Sequence, residues 1–321
     1  MPFDLDAPKD TSIYKALSLA VNQGARFAVP FFFVISGYFW GAKIRRGASP
    51  VEVSTAMAKR IATVFLVWSI VYLLPYREIG LAISGVPVAL WDSWGTKIIA
   101  LITDPAMLLQ RGTEEHLWFL SALLCGLALC AVLVGLRLER TLVVVSVLLF
   151  IVGVLGRAYA ESPIGLSIDF NTRNGPFFAT LLFASGYWLS AMEPKRSWFG
   201  LGLAVLCLGT LVHVAELTIL WRFFDISPIH DYLFGTYAMG LGAAMVGLSN
   251  HRLLDTRILG HLGRLTLGIY AMHFVFIDLL GGVDDIFNSP IWDLAYVALV
   301  LGMSVAISYV LSRSDLTRRF V

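Results

Sequence analysis

Apolar residues recur along the chain in nine runs separated by short polar stretches, at about 24–42, 61–76, 117–136, 141–157, 175–192, 197–221, 232–249, 265–283 and 292–312. Most approach the roughly 20 residues a helix needs to cross a hydrocarbon core, and all exceed the roughly 10 residues of a barrel strand. Hydrocarbon offers the backbone no hydrogen-bond partner, so such runs fold as helices. The pattern predicts an all-α polytopic membrane helix bundle of about nine spans. It is read as a single integral membrane domain over residues 1–321, with a polar N-terminal tail over 1–23 and a long extracytoplasmic loop over 77–116. That loop sets Trp91 and Trp94 near Leu81, Ile83, Val86, Val88 and Leu90, which suits a segment lying partly on the membrane surface.

Composition sharpens this. Of 321 residues, 58% are hydrophobic and 14% charged, which excludes an ordinary soluble domain. The 24 Lys plus Arg against 22 Asp plus Glu leave a net charge of +2, too little for a nucleic-acid partner, so membrane lipid is the expected surroundings. Cys125, Cys130 and Cys207 lie inside apolar runs at no zinc-ligand spacing, and no metal is expected.

The cations give an orientation. Fifteen fall after odd-numbered runs: Lys43, Arg45, Arg46, Lys59, Arg60, Arg137, Arg140, Lys195, Arg196, Arg252, Arg257, Arg264, Arg313, Arg318 and Arg319. The alternate loops hold six: Arg77, Lys97, Arg111, Arg157, Arg173 and Arg222. The richer side is cytoplasmic. The expectation is a multi-pass protein of the cell (inner) membrane with its C-terminus in the cytoplasm. A tail carrying Lys9 and Lys15 would then have to cross the membrane behind Asp4, Asp6 and Asp10, with no signal sequence, so one further span is expected upstream.

Ionisable groups at membrane depth are costly, and each is a candidate for function. Arg26 stands at the outer end of the first run, ahead of Pro30 and the Ser36-Gly37-Tyr38 step; it either serves a site or reaches to the headgroups. Ser185-Gly186-Tyr187 echoes that step and reads as helix packing more readily than as a second site. His116 follows Glu114 and Glu115 at the start of the third run, where a histidine can act as a base or orient a hydroxyl. Tyr270 and His273 share one face of the eighth run. His213 and Glu216 share a face of the sixth, as a proton relay or a self-neutralising pair. Lys59 and Arg60, near Lys43, Arg45 and Arg46, would attract either anionic lipid or the phosphates of a nucleotide-bearing donor. The polar residues of the 157–174 loop could face a sugar or simply solvate the loop.

Three of these segments carry a resemblance. Arg26 to Tyr38 is similar to the Arg-x-Ala-Val-Pro-x-Phe-Phe-x-x-Ser-Gly-Tyr signature of the acyltransferase family 3 membrane proteins. His116-Leu117-Trp118-Phe119 resembles that family's His-Leu-Trp-Phe, and Leu267-Gly268-Ile269-Tyr270 to His273 its Leu-Gly-Ile-Tyr-x-x-His. The order is kept and the similarity covers essentially the whole chain. The branch it most resembles contains the enterobacterial common antigen O-acetyltransferase and the intercellular adhesin modification proteins.

The resemblance implies a ten-span O-acetyltransferase. It would move an acyl group, usually acetyl, from acyl-CoA as co-substrate to a hydroxyl of a cell-envelope polysaccharide or glycolipid, with no permanently bound cofactor. It places Lys59 and Arg60 near the CoA phosphates, Ser36 and Gly37 at the inner mouth, and Arg26 and His116 toward the acceptor. His273 is a further catalytic candidate, and Trp118 and Tyr270 are substrate-binding candidates. The family's first span, with a basic residue and a histidine about ten positions on, has no counterpart in the sequence, so the chain as written is expected to have little or no transferase activity. The rival from another class is a glycan or solute transporter using His213, Glu216, His273 and Asp278 as a path.

Overall fold

The computed structural model describes residues 12–287 and 290–321, and among these the regular structure is helical. In chain order the helices are α1 Ser12–Gly24, α2 Ala28–Arg45, α3 Pro50–Val71, α4 Tyr76–Ile83, α5 Leu90–Thr103, α6 Pro105–Arg111, α7 Trp118–Gly135, α8 Glu139–Leu155, α9 Pro176–Leu189, α10 Trp198–Phe224, α11 Phe234–Leu248, α12 Arg257–Phe287 and α13 Pro290–Ser312. Each apolar run lies on one of these. By length and composition six helical segments can cross a membrane: Ser18–Arg45, Pro50–Val71, Glu115–Gly135, Trp198–Phe224, Arg257–Gly281 and Ala295–Ser312. With 14 residues, α9 reaches only about 21 Å at 1.5 Å per residue, short of a hydrocarbon core.

One expectation is corrected. Residues 12–23 belong to helix α1 rather than to a polar tail; the sequence there repeats apolar residues at helical spacing (Ile13, Leu17, Ala20, Val21), and the apolar helical stretch Ser18–Arg45 is 28 residues long. Lys9 and its acidic neighbours lie outside the described residues. The 77–116 segment carries the short helices α4, α5 and α6. Asp104 starts α6 by accepting from Met107 N (3.2 Å), with Pro105 in the first turn. Trp91 is 80% exposed, with the Trp94 ring 5.8 Å away, and Ile99, Ile102 and Leu109 are also exposed.

The described chain forms two compact units. One comprises 19–59 and 121–255. In it α2 packs against α9 and α11, α8 against α9, and α10 against α11. Every position of α9 from Phe178 to Tyr187 is buried. Two small-residue steps make the α2–α9 contact: a Cβ at Gly37 would strike the Phe183 backbone, and one at Gly186 the backbone of Val34 and Tyr38. Backbones meet this closely only where side chains are absent, as is common between membrane helices. The Ser-Gly-Tyr echo is therefore the two halves of one helix contact. Gly202 and Gly209 of α10 meet α11 in the same way at Gly242 and Met239.

The other unit comprises residues up to 18, 60–120 and 256–321. In it α12 packs on α13 and α4. The segment after α13 returns to α3, where Trp68 Nε1 donates to Phe320 O (2.9 Å) and Arg60 Nη2 to Val321 O (3.2 Å).

Candidate active site

The start of α7 meets α12. Glu114 accepts from Glu115 N (3.2 Å) and begins a short 3-10 turn, Glu115–Leu117, which turns the His116 side chain into the protein, where it is 6% exposed. The ring stacks on Phe274 (centroids 4.3 Å apart, planes 3°), with Tyr72 at 5.0 Å, Tyr270 at 5.6 Å and His273 at 5.2 Å. His116 Nε2 lies 3.2 Å from Ala271 O, and the same carbonyl accepts from Tyr72 Oη at 2.8 Å. A carbonyl only accepts, so Nε2 carries the proton and Nδ1 keeps the lone pair. That Nδ1 is buried and has no hydrogen-bond partner among the described residues.

Tyr270 Oη donates to the His116 carbonyl, closing a reciprocal tie between the two motifs. His273 Nδ1 donates to Tyr270 O (2.6 Å) one turn back. Trp118 is buried on the first turn of α7. Four of the expected residues, His116, Trp118, Tyr270 and His273, thus share the unit of 60–120 and 256–321. Tyr72, which braces the same carbonyl, went unread in the sequence because a tyrosine ending an apolar run has no distinguishing pattern.

Arg26 belongs to the other unit, together with Ser36 and Gly37. Its Nη1 is 3.6 Å from Asp231 Oδ1, which also accepts from Arg173 Nη1 (3.0 Å), while Asp231 Oδ2 accepts from Arg157 Nε (3.3 Å) and Nη2 (3.1 Å). Local structure aims these groups. Asn171 caps the 3-10 turn Thr172–Asn174 by accepting from Arg173 N (3.1 Å), leaving Arg173 8% exposed. Tyr232 stacks on Phe178 (4.2 Å) and donates to Thr172 Oγ1 (2.8 Å), whose own proton goes to Gly153 O (2.9 Å); this anchors Asp231 beside it. Burial pushes the Asp231 carboxyl up, but Arg173, Arg157 and Arg26 outweigh it and hold it below its ordinary value. The sequence offered no sign of this convergence, since Arg26, the 157–174 loop and Asp231 lie far apart along the chain, Arg157 and Arg173 read as loop charges and Asp231 drew no reading.

His213 and Glu216 do not pair with each other. His213 Nε2 donates to Gln23 Oε1 (3.0 Å) and its Nδ1 accepts from Thr236 Oγ1 (3.0 Å). Glu216 accepts from Gly235 N (2.7 Å), Phe234 N (3.2 Å) and Tyr159 Oη (2.9 Å), so it caps the N-terminus of α11. The expected self-neutralising pair gives way to two separate sets of hydrogen bonds.

Lys59 and Arg60 are exposed on α3, and Arg60 reaches Val321 O. Arg45 donates to Ser190 Oγ (3.1 Å) and covers the Tyr187 ring at 4.7 Å. Among the described residues no group of three or more His, Cys, Asp or Glu could hold a metal.

Two curated relatives match the sequence: an amino-acid racemase of Enterococcus faecalis, 28% identical over 183 residues, and a serine/alanine racemase of Enterococcus gallinarum, 28% identical over 263 residues. These alignments cover 54% and 77% of this chain but only 23% and 35% of those proteins, so the chain spans a quarter to a third of their length. No solved structure matches. The family profile described as an acyltransferase domain matches residues 5–313, nearly the whole chain, and the protein, with its apolar helices, belongs to the acyltransferase 3 family of membrane acyltransferases.

Proposed function

We propose that this membrane acyltransferase takes an acyl group, acetyl in the first instance, from acyl-CoA and delivers it to a hydroxyl of a cell-envelope polysaccharide or glycolipid. The observation that carries the reading is His116: its ring is clamped between Phe274 and the Ala271 carbonyl, with Nδ1 left as a buried base of fixed orientation. In this reading Nδ1 takes the hydroxyl proton as the oxygen attacks the thioester carbonyl. The C–O bond forms, the C–S bond breaks, and the departing CoA thiolate takes up the proton. His273 and Tyr270 hold the geometry of the α12 turn, and Trp118 and Tyr270 border the acceptor. Lys59 and Arg60 hold the CoA phosphates, which requires Arg60 to release Val321 O, and Ser36 and Gly37 line the donor mouth. The charge distribution supports a cell (inner) membrane protein with a cytoplasmic C-terminus.

Racemisation does not come across from the relatives, whose names describe chains three to four times longer than the matched stretch.

This reading departs from the expectation of an inactive chain, because His116 supplies a base without the family's first-span histidine; the test between the two is transfer of labelled acetyl from acetyl-CoA to envelope glycan by the purified chain in nanodiscs. H116A and H116Q should each lower the rate about 10²- to 10⁴-fold, the usual contribution of a general base. Absence of transfer by the unaltered chain, or full activity in H116A, would overturn the reading.

A further inference from the structure

The arginine cluster around Asp231 carries more donors than its carboxylate can occupy. Asp231 is 17% exposed and Arg173 10% by side chain, while Arg26 at 25% and Arg157 at 45% open toward the surface. Besides Asp231, Arg26 donates to Asn22 Oδ1 (3.0 Å) and Arg173 to Asn174 Oδ1 (3.3 Å). Two buried nitrogens, Arg26 Nε and His230 Nε2, have no hydrogen-bond partner among the described residues. A buried charged donor left unmade is expensive, and orphaned atoms of this kind mark places where another group belongs.

Arginine presents a planar fork that matches the paired oxygens of a carboxylate or phosphate, and a carboxylate among several arginines fixes the forks in place beforehand. A purely structural brace would not need Arg157 nearly half exposed, nor an Arg26 guanidinium with its buried Nε–H unused. We propose that Arg26, Arg157 and Arg173, set by Asp231, form a recognition site for an oxyanion, a carboxylate or a phosphate, carried by the acyl acceptor. The acceptor class is therefore an acidic glycan or a phosphorylated glycolipid. This rests on the acyl-transfer reading above for the identity of its ligand but not for the existence of the site.

The test uses the full chain in phosphatidylcholine nanodiscs. Binding of methyl β-glucuronide and of farnesyl phosphate is measured by thermophoresis beside the neutral counterparts methyl β-glucoside and farnesol. One anionic probe should bind at least roughly tenfold more tightly than its neutral counterpart, and R157Q should weaken it by about tenfold, as expected for a lost charged hydrogen bond. Preference for the glucuronide identifies a sugar carboxylate, and preference for farnesyl phosphate a lipid phosphate. On the unaltered protein, inorganic phosphate should displace the bound probe, a measurement independent of any variant's folding. Equal binding of charged and neutral probes, indifference to phosphate, or a folded R157Q with unchanged binding would overturn the site. Acetyl transfer measured on the same preparation separates the two readings: transfer without anion preference removes only the site, and anion binding without transfer removes only the CoA reading.

Discussion

Tyr270 and His116 hold each other through the backbone. The tyrosine hydroxyl donates to the His116 carbonyl, and the His116 ring donates to the carbonyl of Ala271, the residue after Tyr270. The first turn of α7 and the middle of α12 are thereby fixed in register, and the imidazole cannot rotate without giving up a buried hydrogen bond.

Tyr270→Phe tests this tie. The ring contact with Phe119, 5.0 Å between centroids, survives, and only the hydroxyl is lost. Hydrogen bonds between membrane helices contribute about 0.6 kcal/mol on average and up to about 1.7. Thermal melting in detergent should fall by that modest amount, while acetyl transfer falls at least about tenfold because His116 loses its fixed orientation.

The glycine contact between α2 and α9 predicts a sharper loss. Gly37→Val or Gly186→Val drives a side chain into the facing backbone, which cannot yield as a flexible side chain would. Either variant should fail to give a monodisperse peak on size-exclusion chromatography. Gly200→Ala is the control: nothing lies within 4 Å of an added Cβ there, and exchanging glycine for alanine inside a helix should raise stability by up to about 1 kcal/mol.

Asp231→Asn removes the one carboxylate on which Arg26, Arg157 and Arg173 meet. A loss of about 3 kcal/mol is expected, the low end for breaking a buried ion pair, because Arg157 is 45% exposed. The half-life at elevated temperature in detergent should shorten accordingly.

The same cluster sets an acid limit. Burial pushes His230 down against the pull of Asp231, with Arg157 and Arg26 adding to the lowering, and the Asp231 carboxyl is also held low. In each case the unfolded chain binds the proton more readily, so the stability is present at neutral pH and lost on acidification. Melting temperature should begin to fall below about pH 6.5 as the His230 contribution goes, and fall again below about pH 4 through Asp231. In Asp231→Asn the second decline should be absent; its persistence would show that the ion cluster does not set the acid limit.

Glu216→Gln distinguishes a capping role from a proton path. The amide can keep one acceptor, but its NH2 group would face the Gly235 or Phe234 N–H, so a cost of about 1–3 kcal/mol is expected in thermal melting. A transport path would instead predict normal stability and abolished solute flux in proteoliposomes.

The sequence by itself determined the class of protein and the places of its long helices, because the cost of burying an unpaired backbone in hydrocarbon leaves a run of apolar residues one structure to adopt. It also set His116, Tyr270 and His273 apart, since polar groups in apolar runs are too costly to be incidental. Periodicity could not say what each would face. His213 and Glu216, neighbours on one helical face, turned to different partners: bare amides at the start of α11 took the carboxylate, and Thr236 of α11 and Gln23 of α1 took the imidazole. Gly37 and Gly186, 149 positions apart, became one contact, and Arg26, Arg157 and Arg173 gathered on Asp231 from three separate segments. Those pairings depend on which helices pack together and at what depth, and only the tertiary structure decided them, because ion pairs and helix contacts act through space and leave no period along the chain.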